Sequence, residues 1–130
     1  MSDSLTLKQS FPARPADLLA RWLDPEWHAR FTGGAEAVID ATVGGKYTTW
    51  DGYIEGTTLE IGADRILQSW RTADFDESDP ASLLELLFET DGAGTRLTLR
   101  HTGIPEGQGE MYRTGWEDHY FVHMRAVLGG

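Results

Sequence analysis

The 130-residue chain carries 21 acidic and 11 basic side chains, a formal charge of −10, and no cysteine. Disulfides and thiolate chemistry are thereby excluded, and a surface of this sign repels the phosphates of nucleic acid and of anionic lipid. The length suits a single domain over residues 1–130, able to bury roughly two thirds of the surface its unfolded form exposes.

The start, Met1-Ser2-Asp3-Ser4, has no basic segment followed by an apolar run, and no window approaches a membrane span. A cytoplasmic protein with neither a membrane nor a nucleic-acid partner is expected. Leu5, Leu7 and Phe11 alternate with Thr6, Lys8 and Ser10, which reads as a first strand with one buried face. Pro12 and Pro15 close it. Pro15 then opens a short helix to about Leu23, and Asp24 caps a second that starts at Pro25 and runs through Phe31. Trp22, Trp27 and Phe31 are the expected buried residues of this pair, which Gly33-Gly34 ends.

From Ala35 to His101 the chain reads as strands punctuated by Gly44-Gly45, Asp51-Gly52, Gly62-Ala63-Asp64, a polar loop at Asp74 to Pro80, and Asp91-Gly92-Ala93-Gly94. That spacing predicts an antiparallel meander. Inside and outside are clearest in Ser82 to Thr90, where Leu84, Leu86 and Phe88 face one way, and in Thr95 to His101, where Leu97, Leu99 and His101 alternate with Arg96, Thr98 and Arg100. Tyr53 to Ile61 and Arg65 to Arg71 are mixed on both faces, so the parity of Trp50, Glu55 and Trp70 stays open. After a loop at Gly103 to Gly109, the segment from about Glu110 to Leu128 is the only helix long enough to cross a sheet. Helical spacing there gathers Tyr112, Trp116, His119, Tyr120, His123 and Val127 onto one stripe, expected to be buried. The simplest packing curls the sheet around this helix.

Several segments also resemble one known family. They are Gly44-Gly45-Lys46-Tyr47, Asp51-Gly52-Tyr53-Ile54-Glu55-Gly56, Ile66-Leu67-Gln68-Ser69-Trp70-Arg71, Thr95-Arg96-Leu97-Thr98-Leu99-Arg100-His101-Thr102-Gly103-Ile104-Pro105 and Tyr112-Arg113-Thr114-Gly115-Trp116. Together they are similar to homologues of the activator of heat-shock protein 90 ATPase, within the START-like (SRPBCC) superfamily. The resemblance implies an α+β helix-grip fold of the Bet v type: a curved antiparallel sheet of about six to seven strands wrapped around a long C-terminal helix, with two short helices after strand 1. It also implies a chaperone as one candidate partner. The eukaryotic activator carries an additional N-terminal domain that contributes to chaperone binding, and this sequence corresponds to its C-terminal-type domain. The superfamily further includes lipid and hormone carriers, polyketide cyclases and aromatases, so function has to be argued from the site.

The aromatic and histidine stripe has two readings, a packed core or the wall of a ligand chamber. A dry chamber of about 300 Å³ at roughly 24 cal/mol per Å³ costs about 7 kcal/mol, comparable with a domain's whole stability. A chamber here must therefore be small, wet or kept for a ligand. The expected ligand is a small hydrophobic or aromatic molecule held by Trp116, Tyr120 and His123 of the helix and by Trp70, Phe88 and His101 of the strands, with the imidazoles and the Tyr120 hydroxyl orienting a polar tip.

No cofactor, metal or catalytic residue is expected. His119 and His123 stand four apart without a third ligand, and the run Asp74 to Glu85 imitates calcium-loop spacing but has Asp79 where the turn needs glycine. No nucleophile elbow or phosphate loop is present. A cyclase-like or hydratase-like enzyme would have to rest on histidine and tyrosine, drawing on His101, His119, His123, Tyr112 and Tyr120, with Glu55 or Glu85 as further inward candidates.

Overall fold

Alternation in the chain becomes a sheet in which the expected side chains point inward. A computed structural model of the protein describes residues 2–129. Strand β1 (Asp3–Phe11) is followed by helices α1 (Pro15–Leu23) and α2 (Pro25–Phe31). Then come β2 (Val38–Ile39), β3 (Lys46–Thr49), a short 3-10 turn (Trp50–Gly52), β4 (Ile54–Ile61), β5 (Arg65–Thr72), β6 (Ser82–Asp91) and β7 (Gly94–Ile104). The C-terminal helix, α3, runs unbroken through an α segment (Gly109–Gly115), a π segment (Trp116–Phe121) and a second α segment (Val122–Leu128).

The seven strands form one antiparallel sheet in the order β1-β7-β6-β5-β4-β3-β2. Ser82, Leu84, Leu86 and Phe88 of β6 face the helix side together with Ile66, Gln68, Trp70 and Thr72 of β5. In β4 the register shifts between Thr58 and Glu60, so strict alternation fails within the strand. That shift accounts for the mixed faces of the 53–61 run. Glu55 is exposed, and Glu85 lies on the outer face, paired with Arg65 at 2.7 Å.

Both short helices begin as their sequences predict. Pro15 and Pro25 occupy first-turn positions where a missing N–H costs nothing, and Asp24 accepts from the N–H groups of Glu26 and Trp27 at 2.9 and 3.4 Å. Trp22 and Phe31 are buried as expected. Trp27 departs from expectation: it is half-buried, with the guanidinium carbons of Arg21 and Arg30 over its ring at 4.3 and 4.9 Å from the centroid. Two cations on an aromatic face hold the ring at the surface.

The apolar stripe of α3 is shifted by one residue from the helical spacing. Within the π segment the Val122 N–H donates to the carbonyl of Glu117, five residues back, which adds a residue to that turn. Tyr112, Trp116 and Tyr120 are buried as expected, but Phe121 and Met124 follow them inward. His119 and Val127 are exposed and His123 is half-buried, correcting the uninterrupted stripe.

This half of α3 packs firmly, with Phe121 edge-on to Phe11 of β1 at 6.1 Å and the last segment against α2. Among the described residues no helix is long and apolar enough to cross a membrane. The result is the helix-grip arrangement: α3 held against the inner face of an antiparallel sheet, clamped at its C-terminal half.

Candidate functional site

Tyr112 and Trp116 anchor the N-terminal half of α3 to the strands, and beside these contacts, between helix and sheet, lies a cavity of about 740 Å³. Its helix wall is Met111, Tyr112, Gly115, Trp116, His119 and Tyr120, with Glu110 and Thr114 at the edge. The facing wall is Trp50 and Tyr53 of the turn before β4, Ile54 of β4 and Trp70 of β5. As a sealed dry void this volume would cost about 18 kcal/mol at roughly 24 cal/mol per Å³, more than the about 5 to 15 kcal/mol a domain has to spend. It is instead open to water, past a mouth where Met111 is 48% and Tyr53 38% exposed.

The floor is a stack of rings. Trp116 lies 5.8 Å from Trp70 and 4.8 Å from Tyr120, and Trp70 meets Tyr112 edge-on at 4.9 Å. At the mouth Trp50 stands edge-on to His119 at 5.4 Å. Trp50 and Asp51 both have left-handed backbone, with φ of 54° and 57°, a conformation that costs non-glycine residues of order 1–3 kcal/mol each. Asp51 ties this turn down by exchanging two hydrogen bonds with Glu36: its N–H donates to the Glu36 carbonyl, and its carboxylate accepts from the Glu36 N–H.

Most polar atoms of the floor are already committed inward. The Trp116 N–H, which can only donate, meets Nδ1 of His101 at 3.2 Å. His101 is therefore the Nε2–H tautomer, donating to Ser82 Oγ at 2.7 Å, and Ser82 donates on to the carbonyl of Trp70. By the same logic His28 Nδ1–H donates to the Trp22 carbonyl at 2.8 Å and Nε2 accepts the Tyr120 hydroxyl at 2.7 Å. Tyr112 is bonded to Thr72 and Gln108. Burial lowers the pKa of His28 to about 4, with the Trp22 bond opposing, and that of His101 to about 3. It pushes the Tyr112 and Tyr120 hydroxyls up, with their bonds to Thr72 and Thr49 opposing. Both imidazoles are neutral and both phenols protonated at neutral pH.

Of the expected ligand residues, Trp70, Trp116 and Tyr120 come together on the cavity wall. Phe88 is buried further along β6 and does not line it. His101 lies one layer behind, fully buried, holding Trp116. His123 is carried by the π segment toward α2, where its ring would sit 3.0 Å from a Cβ placed on Gly33. The Tyr120 hydroxyl, expected to orient a polar tip, is taken by His28. Sequence reasoning missed Trp50, Tyr53, Met111 and Gly115 on the wall and His28 behind it. For His28 a signal existed, because it shares a helix face with the buried Phe31 three residues on. Among the described residues no cluster of three metal-ligating side chains occurs.

The family model described as "Activator of Hsp90 ATPase homolog 1-like protein" matches residues 12–129. The activator of 90 kDa heat shock protein ATPase homolog 1 of Homo sapiens is 29% identical over 126 residues, 96% of this chain and 37% of that protein. The chain thus spans little more than a third of the length of that curated relative. A crystal structure of an HSP90 activator from Plasmodium falciparum matches with a TM-score of 0.87 at 27% identity, over 97% of this chain and 96% of that one. CalU16 from Micromonospora echinospora matches with a TM-score of 0.77 at 25% identity, over 96% and 74%.

Proposed function

The chain belongs to the activator of Hsp90 ATPase homolog 1-like family, and within that family we propose that it is a binding domain for a small hydrophobic molecule held between α3 and the sheet. The observation that carries this reading is the 740 Å³ cavity walled by Trp50, Trp70, Tyr112, Trp116 and Tyr120. Aromatic faces supply contact area at low conformational cost, and a wet apolar groove gains free energy when a guest expels its water. Catalysis is not required. The buried histidines and tyrosines near the site have pKa values moved away from neutrality, and each makes bonds that hold it in one protonation state, whereas a general acid or base needs the opposite.

Native mass spectrometry of protein purified from its own source, with titration of the neutral dye Nile red, tests the reading. The expected results are a co-purifying mass released on denaturation and saturable, single-site dye binding that quenches tryptophan emission. Absence of both a released mass and saturable dye binding overturns it. A second reading, a protein-binding module acting on an Hsp90-type ATPase, is favoured by the likeness to the human and Plasmodium activators. Stimulation of such an ATPase by this chain supports it, and absence of both stimulation and complex formation removes it.

A further inference from the structure

Three tryptophans are more than nine-tenths buried, and two of them have their indole N–H satisfied within the protein. Trp22 donates to Gln68 Oε1 at 3.3 Å and Trp116 to His101 Nδ1 at 3.2 Å. Trp70, 3% exposed, has no hydrogen-bond partner for its N–H among the described residues. Yet no sealed side-chain nitrogen or oxygen among those residues lacks a partner. The Trp70 N–H therefore keeps an opening, and the cavity that Trp70 lines is the opening available to a side chain so deeply set. Its direction is fixed, because the ring is clamped edge-on by His101 at 4.4 Å and Tyr112 at 4.9 Å and overlain by Trp116.

Resting on the binding reading above, we infer that the cavity takes an uncharged, planar hydrophobic molecule with a carbonyl-type oxygen, which accepts a hydrogen bond from the Trp70 N–H at the floor. A guest without an acceptor displaces water from this donor and leaves it unpaired, which is costly in a buried site. An anionic guest gains nothing more. No Lys or Arg is on the wall among the described residues, the Glu110 carboxylate stands at the edge within 3.5 Å of Arg113, and the chain as a whole carries −10. The Tyr112 and Tyr120 hydroxyls and the Trp116 N–H, donors that a carboxylate needs, are engaged behind the wall.

Three probes of matched shape separate the possibilities at pH 8: 9-fluorenone, fluorene and 9-fluorenone-2-carboxylate. Fluorenone is expected to bind at least tenfold more tightly than either of the others, although its carbonyl makes it better solvated in water than fluorene. The ¹⁵N–¹H resonance of the Trp70 indole should shift with fluorenone and stay nearly unmoved with fluorene. In Trp70→Phe, which keeps an aromatic ring and removes the donor, the fluorenone-to-fluorene affinity ratio should fall to one or below, because the carbonyl's desolvation is no longer offset. If that variant does not fold, the wild-type ratio and the indole resonance decide alone. Fluorene binding as tightly as fluorenone, or the carboxylate binding best, overturns the ligand class and leaves the binding site standing. Failure of all three probes to perturb any cavity indole overturns both.

Discussion

Gly115 gives the sharpest test of whether the groove is kept open for a guest. It lies in the body of α3 with φ −61° and ψ −41°, a backbone any residue adopts. A Cβ there would meet only His119 Cδ2, at 3.7 Å, an ordinary contact. Neither backbone nor packing requires glycine at this position, yet glycine in a helix interior costs about 0.5–1 kcal/mol relative to alanine. Gly115→Ala should therefore raise stability by up to about 1 kcal/mol, and for 130 residues this is a melting-temperature rise of about 4 °C. A larger side chain leans back toward the helix N-terminus, over Met111 and across the mouth. Gly115→Leu and Gly115→Phe should keep most of the stability gain while weakening Nile red binding tenfold or more. Thermal melts followed by circular dichroism, paired with dye titrations on the same samples, give both quantities. A fall in melting temperature for Gly115→Ala would show that the glycine is structural. Undiminished dye binding in Gly115→Phe would place the guest elsewhere.

Acid should destabilise the fold well above the range where carboxylates titrate. His28 and His101 have folded pKa values of about 4 and about 3 against 6.5 unfolded, so the unfolded chain binds more protons as pH falls below 6.5, and stability present at pH 8 is lost progressively toward the folded values. At pH 5 the loss is about 2 kcal/mol for each histidine. Urea denaturation followed by tryptophan fluorescence reads it directly, and equal or greater stability at pH 5 than at pH 8 would contradict the burial argument, leaving relief of the −10 charge as the dominant effect. Asp3→Ala should lower stability by about 1–2 kcal/mol: Oδ2 of this β1 residue accepts from the N–H groups of Gly107 and Gly109, both at 2.9 Å, and so ties the start of α3 to the sheet. Chemical denaturation measures the change, with Asp3→Asn expected between the two. Gly56→Ala should cost at least about 2 kcal/mol, because a Cβ there falls 1.9 Å from the backbone carbonyl oxygen of Ser69 on the neighbouring strand; an unchanged urea midpoint would show that β4 and β5 can separate.

Local rules made most of the architecture legible. Proline at the first helical turn and Asp24 as a cap set α1 and α2, and strict alternation oriented β6 and β7, including the inward placement of Phe88 and His101. The candidate site was less legible because its placement depends on departures from those rules. The β4 register shift between Thr58 and Glu60 breaks period two within that strand, and Trp50 and Tyr53 sit in the turn before it, where no strand period applies. Nothing in Trp116-Glu117-Asp118-His119-Tyr120-Phe121 marks a π turn, and its single extra residue sends His119 to the mouth, His123 to α2, and Phe121 and Met124 into the core. The aromatic stripe was readable only as far as Tyr120, the last residue before the register changes.

The departures cluster. A glycine without a backbone reason, a π segment in the final helix and the left-handed Trp50 all border one cavity, which Trp70 also lines. Each costs stability where it stands, and the other half of the same helix shows that the chain can pack without them: Phe121, Met124 and α2 close that end completely. Departures that arose at random would be scattered through the chain. Their convergence on the groove is the pattern expected where a functional site is retained against folding stability, and it supports assigning the binding role to the N-terminal half of α3 and not to its clamped end.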